Sequence, residues 1–378
     1  MDDRGERRFL IVAGEASGDR HAARLVEALR RLGTCRVRGV AGPALLAAGV
    51  ERVVAMEDLA VLGVSAVIGR LPRLWGAYRR LLAEARRLRP SAAVLVDSPG
   101  FNFRIGPALR RLGVPVYYYI APQVWAWRPE RAARMARWVD RLAVIFPFEE
   151  PLFRGAGVNA RFVGHPLLEG LEPEVDERAL RSEIGAGPDA PILGLLPGSR
   201  AQELRAHAPV MLEAARRLAA DRPGLAVALA LAPGLEREGE RIASSFGGVR
   251  VLAGRTHAVQ AFATGCAVAS GTATLETALF GTPEVIVYRT GWINHQIARR
   301  VIRLPRIGLP NVLAQDEVAP ELLQDALRPG ALADALAPWL DDPGCREARS
   351  RRLAVVRELL GAPGASARAA EWLWELSA

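Results

Sequence analysis

Two carboxylates in the first half of the chain follow short apolar runs, a position suited to proton-transfer chemistry. Glu15 lies in the small-residue turn Gly14–Asp19, directly after the run Phe9–Ala13. Asp97 comes directly after the run Ala92–Val96. Open α/β sheets bind ligands at the carboxyl ends of their strands, and burial there raises the pKa of a carboxylate toward that of a general base. We therefore predict Asp97 and Glu15 as catalytic residues, with Asp97 favoured as the base and the division of labour left open.

Three other side chains in this half are candidates for substrate contact. Ser17 lies in the same turn as the first carboxylate, Asn102 follows the second, and Trp125 lies in the loop Tyr119–Arg128. That loop carries two tryptophans two residues apart, which could form an apolar wall beside a sugar or an acyl group. Structural alternatives exist for all of these segments, because Asp19 could cap its own helix and the tryptophans could fill the core.

The second half of the chain carries two strand–turn–helix patterns suited to binding an anion. One is Leu196-Pro197-Gly198-Ser199-Arg200, and the other is Ser270-Gly271-Thr272-Ala273-Thr274-Leu275-Glu276. Free N–H groups at a helix N-terminus, hydroxyl groups and an arginine fork are suited to a diphosphate, although simple helix caps are the alternative. The carboxylate at the end of the second pattern could accept both hydroxyls of a ribose. The predicted substrate contacts are Ser199, Arg200, Gly271, Thr272, Ala273, Thr274 and Glu276.

The sequence contains no pattern of metal ligands. Asp-x-Asp does not occur, the five histidines are isolated from one another, and the three cysteines lack the spacing of a metal site or a disulfide framework. We therefore predict a chain that works without a bound metal or other cofactor, in a reducing cytoplasm.

The segment Leu59–Tyr78 interleaves apolar side chains with arginine. Its apolar members include Leu62, Val67, Ile68, Leu71, Leu74 and Trp75, interrupted by Arg70, Pro72 and Arg73. Such a segment is a poor transmembrane span, but its apolar side chains could enter a membrane surface while arginine meets anionic lipid. We predict that it docks on an anionic inner-membrane surface, with ordinary core packing as the alternative.

The charge of the chain also favours anionic partners. All 50 basic side chains are arginine, and the formal net charge is +9. Genomic base composition is the simplest reason for the lack of lysine, yet the excess positive charge still favours phosphates and negative surfaces. Because no nucleic-acid-binding module accompanies the charge, we predict no nucleic-acid partner.

Alternating strand and helix patterns must position these residues. They predict an α/β protein with two Rossmann-like parallel-sheet domains facing each other across a cleft. We place the first domain at 1–170, the second at 171–345, and C-terminal helices at 346–378 that pack back on the first. The acidic, Gly- and Pro-rich stretch Glu169–Pro191 indicates a linker region. The predicted strands lie at Phe9–Ala13, Val37–Val40, Ala92–Val96, Val116–Ile120, Leu142–Phe146, Arg161–Val163, Pro191–Leu196, Leu225–Leu231, Val249–Leu252, Gly265–Ala269 and Glu284–Val287.

Seven segments together resemble one family, lipid-A-disaccharide synthase. They are Gly14–Asp19, Asp97-Ser98-Pro99 with Phe101-Asn102, Ala121–Arg128, Val163–Leu167, Leu196–Arg200, Ser270–Glu276 and Leu309–Ala314. They occur in the family's order and cover most of the chain, which makes the combination very specific.

The resemblance implies an inverting GT-B glycosyltransferase. The donor would be UDP-2,3-diacylglucosamine, the acceptor 2,3-diacylglucosamine 1-phosphate (lipid X), and the products UDP and a β-1,6-linked lipid A disaccharide 1-phosphate. It also implies a peripheral enzyme on the cytoplasmic face of the bacterial inner membrane, in which Asn311 would reach the nucleotide. The alternative is another GT-B UDP-sugar enzyme, such as a UDP-GlcNAc epimerase, which would need no membrane dock.

Overall fold

The polypeptide folds into two compact units of parallel sheet and helix. A computed structural model describes residues 6–59, 64–127, 130–291 and 305–377, with the backbone alone described for residues 64–71 and 126–127. The first unit comprises Met1–Glu169 and Ala362–Ala378, and the second comprises Gly170–Gly361. Each unit has its own sheet and its own apolar core.

The strands and helices alternate along the chain. The strands are β1 (Arg7–Ala13), β2 (Cys35–Ala41), β3 (Glu51–Ala55), β4 (Ala92–Val96), β5 (Val116–Tyr119), β6 (Arg141–Val144), β7 (Ala160–Phe162), β8 (Ile192–Leu196), β9 (Ala226–Leu231), β10 (Val249–Ala253), β11 (Gly265–Ala269), β12 (Glu284–Tyr288) and β13 (Glu321–Leu323). The helices are α1 (Ala16–Leu32), α2 (Pro43–Ala47), α3 (Val64–Leu88), α4 (Pro99–Arg111), α5 (Val124–Trp127), α6 (Glu130–Met135), α7 (Glu149–Gly155), α8 (Glu177–Ile184), α9 (Ala201–Ala220), α10 (Glu236–Ala243), α11 (Thr256–Phe262), α12 (Thr272–Phe280), α13 (Leu309–Ala314), α14 (Pro329–Asp341), α15 (Pro343–Leu359) and α16 (Ala365–Leu376).

The order of the strands creates a switch point in each sheet. The first sheet runs β3-β2-β1-β4-β5-β6-β7 and the second runs β10-β9-β8-β11-β12-β13, with all strands parallel. The chain reverses its direction of travel between β1 and β4, and again between β8 and β11. Open α/β sheets bind ligands at such points, beyond the carboxyl ends of the two central strands. Four of the motif loops singled out from the sequence leave these four strands, and the loop Tyr119–Arg128 follows β5.

The central strands are apolar along most of their length, apart from Arg7 and Arg8 at the start of β1, because helices cover both faces of each sheet. Every residue of β4, β8 and β11 is buried. A parallel sheet covered on both sides needs such continuous apolar runs, and these runs made the strands visible in the sequence. The short edge strands β3 and β13 carry glutamate and half-buried residues, and the sequence analysis missed both.

The predicted linker region contains a helix. Within Glu169–Pro191, α8 begins after Asp176, whose Oδ1 accepts a hydrogen bond from Ala179 N at 2.8 Å. Leu180 and Ile184 of this helix are buried in the second unit. Two apolar side chains on one face of a charged helix are enough to dock it, although its overall composition is that of a linker.

The C-terminal segment is divided between the two units. Helix α15 buries Leu353 and Val356 in the second unit. Helix α16 belongs to the first unit, where Tyr117 Oη donates to Ala369 O at 2.9 Å and the Trp372 ring packs edge-on against Tyr117 at 5.9 Å. The boundary between the two helices therefore falls inside the predicted segment 346–378, near residue 362.

The proposed membrane segment lies only partly within the described residues. Residues 60–63 and the side chains of 64–71 fall outside them, and with them Leu62, Val67, Ile68, Arg70 and Leu71. The remainder belongs to α3, where Leu74 and Tyr78 pack partly against the core. Trp75 is 60% exposed and stacks on Tyr78 at 5.3 Å. Within the described part of the chain, none of the helices combines the length and hydropathy that crossing a bilayer requires.

Candidate active site

The loops that follow β1 and β4 touch each other at the first switch point. Ala13 and Val96 are paired across the two strands, so Glu15 and Asp97 follow the sheet at the same edge. A Cβ atom on Gly14 would lie 2.4 Å from Ser98 Oγ. A side chain at position 14 would therefore require Ser98 to move, which explains a glycine there.

Asp97 occupies a strained backbone conformation that two buried side chains support. Asp97 and Ser98 have φ angles of 44° and 39°, in the left-handed region that most residues avoid. Asn102 Nδ2 donates to Asp97 O at 2.7 Å, and Tyr118 Oη donates to the same carbonyl oxygen at 2.5 Å. Asn102 also donates to Val96 O at 3.2 Å. These bonds fix the direction in which the Asp97 carboxylate leaves the loop.

The surroundings of Asp97 suit a general base. Burial, together with the nearby charge of Glu15, raises the pKa of Asp97 to about 6, against a lowering contribution from the Ser98 backbone N–H. Glu15 is the exposed N-cap residue of α1, and Ser17, two residues further on, is half-buried. A base with a pKa near the working pH is ionised yet still basic enough to take a hydroxyl proton. Asp97 and Glu15 therefore follow adjacent strands at the same edge of the sheet, and the Glu15 charge acts on the Asp97 carboxyl.

Two polar residues of these loops bond to the protein backbone. Asn102 is fully buried, and its amide is engaged with the loop backbone, so it positions Asp97 and does not present its amide to a substrate. One interpretation of the sequence had Asp19 capping its own helix, and the structure shows a different role. Its carboxylate accepts hydrogen bonds from Gly42 N and Ala44 N, both at 2.8 Å, and so caps α2.

Trp125 is held by a buried acid that the sequence analysis missed. Trp125 Nε1 donates to Glu149 Oε1 at 2.9 Å, and Phe148 packs edge-on against the indole at 5.0 Å. The other oxygen of Glu149 accepts from Ile145 N and Phe146 N at 3.3 and 3.1 Å. Burial raises the pKa of Glu149 to about 7, although these three bonds favour the ionised form. Trp125 is half-buried, so part of the indole remains open to a ligand. The side chain of Trp127 lies outside the described residues.

In the second unit, a carboxylate and a histidine shape the loop after β8. Gly198 has a φ angle of 115°, and a Cβ atom there would lie 2.5 Å from Glu203 Oε2. That oxygen accepts from Ser199 N at 3.0 Å and Arg200 N at 3.3 Å, which fixes the turn. The exposed Arg200 guanidinium lies 3.2 Å from Glu203 Oε1. An anion at this turn would therefore compete with Glu203 for Arg200.

His207 connects this loop to the end of β12. Its Nδ1 lies 2.7 Å from Pro197 O, and its Nε2 accepts a hydrogen bond from Arg289 N at 2.9 Å. Since a carbonyl oxygen only accepts, the ring proton resides on Nδ1. The histidine is fully buried and joins two strand ends at the ligand-binding edge of the sheet.

The loop after β11 combines open backbone with buried side chains. Gly271 and Thr272 are exposed at the start of α12, and Ala273 is half-buried. Thr274 is fully buried, and its hydroxyl donates to Gly271 O at 2.8 Å, so it shapes the turn instead of facing a ligand. The N-terminal amides of α12 are the groups here that could meet a phosphate.

Glu276 stands in the second turn of α12, with few protein partners. Gln260 Nε2 lies 3.5 Å from Glu276 Oε2, and His257 Nε2 lies 3.9 Å from the same oxygen. Gln260 is itself fully buried and donates to Ala273 O at 2.9 Å. Neither His257 nor Gln260 was identified from the sequence, because an isolated histidine or glutamine gives no signal of its own.

The prediction for Asn311 requires a correction. Asn311 is fully buried, its Nδ2 donates to Ala319 O and Glu321 Oε1, and its Oδ1 accepts from Val318 N and Ala319 N. These bonds measure 2.7 to 2.9 Å and leave the amide no capacity for a nucleotide. Asn311 instead ties the start of α13 to the turn before β13.

Metal-binding side chains do not gather in the described ranges. Across residues 6–59, 64–127, 130–291 and 305–377, His, Cys, Asp and Glu form no group of three or more that could hold an ion.

Comparison with known proteins identifies close relatives in sequence. A family model described as lipid-A-disaccharide synthetase matches residues 9–363. A lipid-A-disaccharide synthase from Anaeromyxobacter dehalogenans is 43% identical over 96% of both chains. The enzyme of the same name from Myxococcus xanthus is also 43% identical, over 98% of this chain and 97% of its own.

Solved structures resemble the chain in fold. A UDP-GlcNAc 2-epimerase from Neisseria meningitidis bound to UDP-GlcNAc matches with a TM-score of 0.68 at 10% identity, over 98% of this chain and 100% of its own. A calicheamicin glycosyltransferase matches with a TM-score of 0.61 at 20% identity, over 98% of both chains. The two Rossmann-like parallel-sheet units thus have the GT-B fold that the sequence predicted.

Proposed function

Because the chain belongs to the lipid-A-disaccharide synthetase family, and is therefore a glycosyltransferase of lipid A biosynthesis, we propose a specific reaction for it. The donor is UDP-2,3-diacylglucosamine and the acceptor is 2,3-diacylglucosamine 1-phosphate. The products are UDP and the β-1,6-linked disaccharide 1-phosphate. The single observation that supports this chemistry best is Asp97, a half-buried carboxylate with a pKa of about 6 at a switch point of the sheet.

The first unit supplies the base. As the 6-hydroxyl oxygen of the acceptor attacks C1 of the donor sugar, its proton passes to the Asp97 carboxylate. The bond between C1 and the diphosphate oxygen breaks at the same time, and UDP leaves with the bonding electron pair. Attack from the face opposite the leaving group inverts the anomeric carbon. Glu15 orients the acceptor and raises the pKa of Asp97 through its charge.

The second unit holds the nucleotide. The free amides at the start of α12 and the exposed Arg200 neutralise the diphosphate as its charge increases during departure. Ser199 adds a hydroxyl donor in the same loop as Arg200. Glu276 accepts hydrogen bonds from the ribose. This arrangement needs no step that depends on a metal ion.

The lipid substrates imply contact with a membrane. We place the enzyme peripherally on the cytoplasmic face of the inner membrane, with the segment Leu59–Tyr78 as its dock. The exposed Trp75, stacked on Tyr78, supports this placement, because an aromatic side chain with an apolar body suits the interface of a bilayer.

The alternative, a UDP-GlcNAc epimerase, is not favoured. An epimerase would act on its nucleotide sugar alone, whereas a transferase releases UDP only when an acceptor is present. The test is to incubate the full chain with UDP-2,3-diacylglucosamine, with and without 2,3-diacylglucosamine 1-phosphate, and to measure UDP. We expect UDP release and a disaccharide product only when both are present. UDP release or sugar rearrangement with the donor alone would contradict the proposal.

A further inference from the structure

His257 and Glu276 present two hydrogen-bond acceptors to the same place in the second unit. His257 is the second residue of α11, and Glu276 lies on the neighbouring helix α12. His257 Nε2 and Glu276 Oε2 are 3.9 Å apart, too far for a direct hydrogen bond. The two side chains retain 31% and 11% of their surface, so the imidazole is partly exposed and the carboxylate, although largely buried, still meets solvent beside it.

A contact at Nδ1 fixes the orientation of the His257 ring. His257 Nδ1 lies 3.1 Å from Glu172 O, and a carbonyl oxygen can only accept. In the neutral ring the proton therefore resides on Nδ1, which leaves Nε2 as a bare acceptor. The Phe280 ring, at 6.1 Å, and the Glu174 carboxylate, which accepts from His257 N at 3.1 Å, hold the residue in place.

One oxygen of the Glu276 carboxylate is available to a ligand. Gln260 approaches Oε2 at 3.5 Å, and Oε1 receives no hydrogen bond from any residue that the structure describes. Two accessible acceptors side by side disfavour another acceptor or an anion between them. They require two donors held close together, and a vicinal diol on a sugar ring supplies two O–H groups on adjacent carbons.

We propose that His257 completes a diol site with Glu276. His257 Nε2 accepts the hydrogen bond of one ribose hydroxyl, and the Glu276 carboxylate accepts that of the other. This inference rests on the proposed function, which places a uridine nucleotide in the second unit. It assigns to Glu276 one hydroxyl instead of two, and it makes His257 a specificity-determining residue for ribose over deoxyribose.

Two substitutions test the roles of the two ring nitrogens of His257 separately. In His257→Asn the side-chain amide can still donate to Glu172 O, but nothing remains at the position of Nε2. In His257→Gln the longer side chain can place an oxygen near that position. The first variant should lose the diol contact while keeping the loop anchored, and the second should retain the contact. Thermal melts of both variants test whether the unit remains folded.

The measurement is the affinity of the full chain for UDP, 2′-deoxy-UDP and 3′-deoxy-UDP by calorimetry at pH 8. The parent should bind each deoxy nucleotide about tenfold more weakly than UDP, since each lacks one hydrogen bond. In His257→Asn the penalty for one of the two deoxy nucleotides should shrink to about twofold or less, with the other penalty unchanged. His257→Gln should keep both penalties, and Glu276→Ala should lose the penalty that His257→Asn retains.

Two results would count against the inference in different ways. If the parent binds UDP and His257→Asn keeps both penalties in full, His257 does not contact the diol and the inference is wrong, even if the overall affinity falls. If the parent binds no UDP, the proposed function fails first and this inference fails with it.

Discussion

Replacing Glu15 by glutamine removes a charge that helps to raise the pKa of Asp97. Asp97 acts as a base only when it is ionised, so kcat/KM should fall as the pH drops through its pKa of about 6. Without the Glu15 charge the ionised form of Asp97 is easier to reach. The acidic limb of the pH profile in Glu15→Gln should therefore move to lower pH.

The distance by which the acidic limb should move follows from the two causes that raise the pKa of Asp97. The pKa of Asp97 rises from 3.8 to about 6, and burial contributes more to this rise than the Glu15 charge does. The limb should therefore move by no more than about one pH unit and stay well above the ordinary value of an aspartate. At pH 5 the ionised fraction of Asp97 would increase from roughly one tenth to as much as about one half, a gain of up to about fivefold relative to each enzyme's own plateau.

The assay is UDP release with both lipid substrates from about pH 4.5 to 9, with circular dichroism to confirm folding at each end. Glu27→Gln is a matched control, because Glu27 is exposed on the same helix and its loss changes the net charge equally. That control should leave the limb in place. A limb that stays at the parent's position in Glu15→Gln would refute the coupling, and complete loss of activity at every pH would make Glu15 the base instead of Asp97.

Three further predictions concern other parts of the molecule. Glu284 is fully buried with no hydrogen-bond partner among the described residues, and burial raises its pKa well above the ordinary value. The folded chain therefore keeps the proton that the unfolded chain releases, so the contribution of Glu284 to stability is most favourable below pH 4.5 and becomes less favourable as the pH rises, by up to about 1.4 kcal/mol per pH unit. Glu284→Gln should remove this contribution to the slope in denaturant unfolding at pH 5.5 and 7.5, and an unchanged slope would mean that Glu284 is ionised in the fold. Arg200→Ala should weaken UDP binding by about tenfold, because a charge-assisted contact contributes ~1.5–3 kcal/mol and part of it is offset by the lost Glu203 pair; an unchanged Kd in calorimetry would place Arg200 outside the site. Trp75→Ser should reduce co-sedimentation with anionic vesicles, whereas Leu112→Ser, which also removes an exposed apolar side chain, should not; equal effects would place the dock elsewhere.

Continuous apolar runs made the sheets predictable. The strands β1, β4, β8 and β11 are buried along nearly their whole length, so their sequences contain little else than apolar residues. The turns after β1 and β8 could be recognised because a glycine stands in each where a side chain comes close, Gly14 and Gly198. Gly14 against Ser98 is one such contact. The edge strands and the helix α8 lacked these signals, because half-buried elements mix polar and apolar residues.

The site was predictable only where the chemistry depends on position along a strand. Asp97 and Glu15 follow adjacent strands, and parallel topology brings such residues together. Asn311 follows a proline in the first turn of α13, and nothing in its neighbours along the sequence reveals that the amide is buried and fully bonded. His257 and Glu149 contact their partners across helices and loops, so their roles become visible only when the fold is known.

The most direct test of the account is Asp97→Asn, measured for both transfer and nucleotide binding. Asparagine tolerates the left-handed backbone at this position and has nearly the same shape, but its neutral amide cannot accept a proton. Asp97 lies in the first unit, whereas the proposed nucleotide site lies in the second. We predict that turnover with both lipid substrates falls by ~10²–10⁴-fold while the Kd for UDP stays unchanged. Near-normal turnover in this variant would contradict the assignment of Asp97 as the base that activates the acceptor.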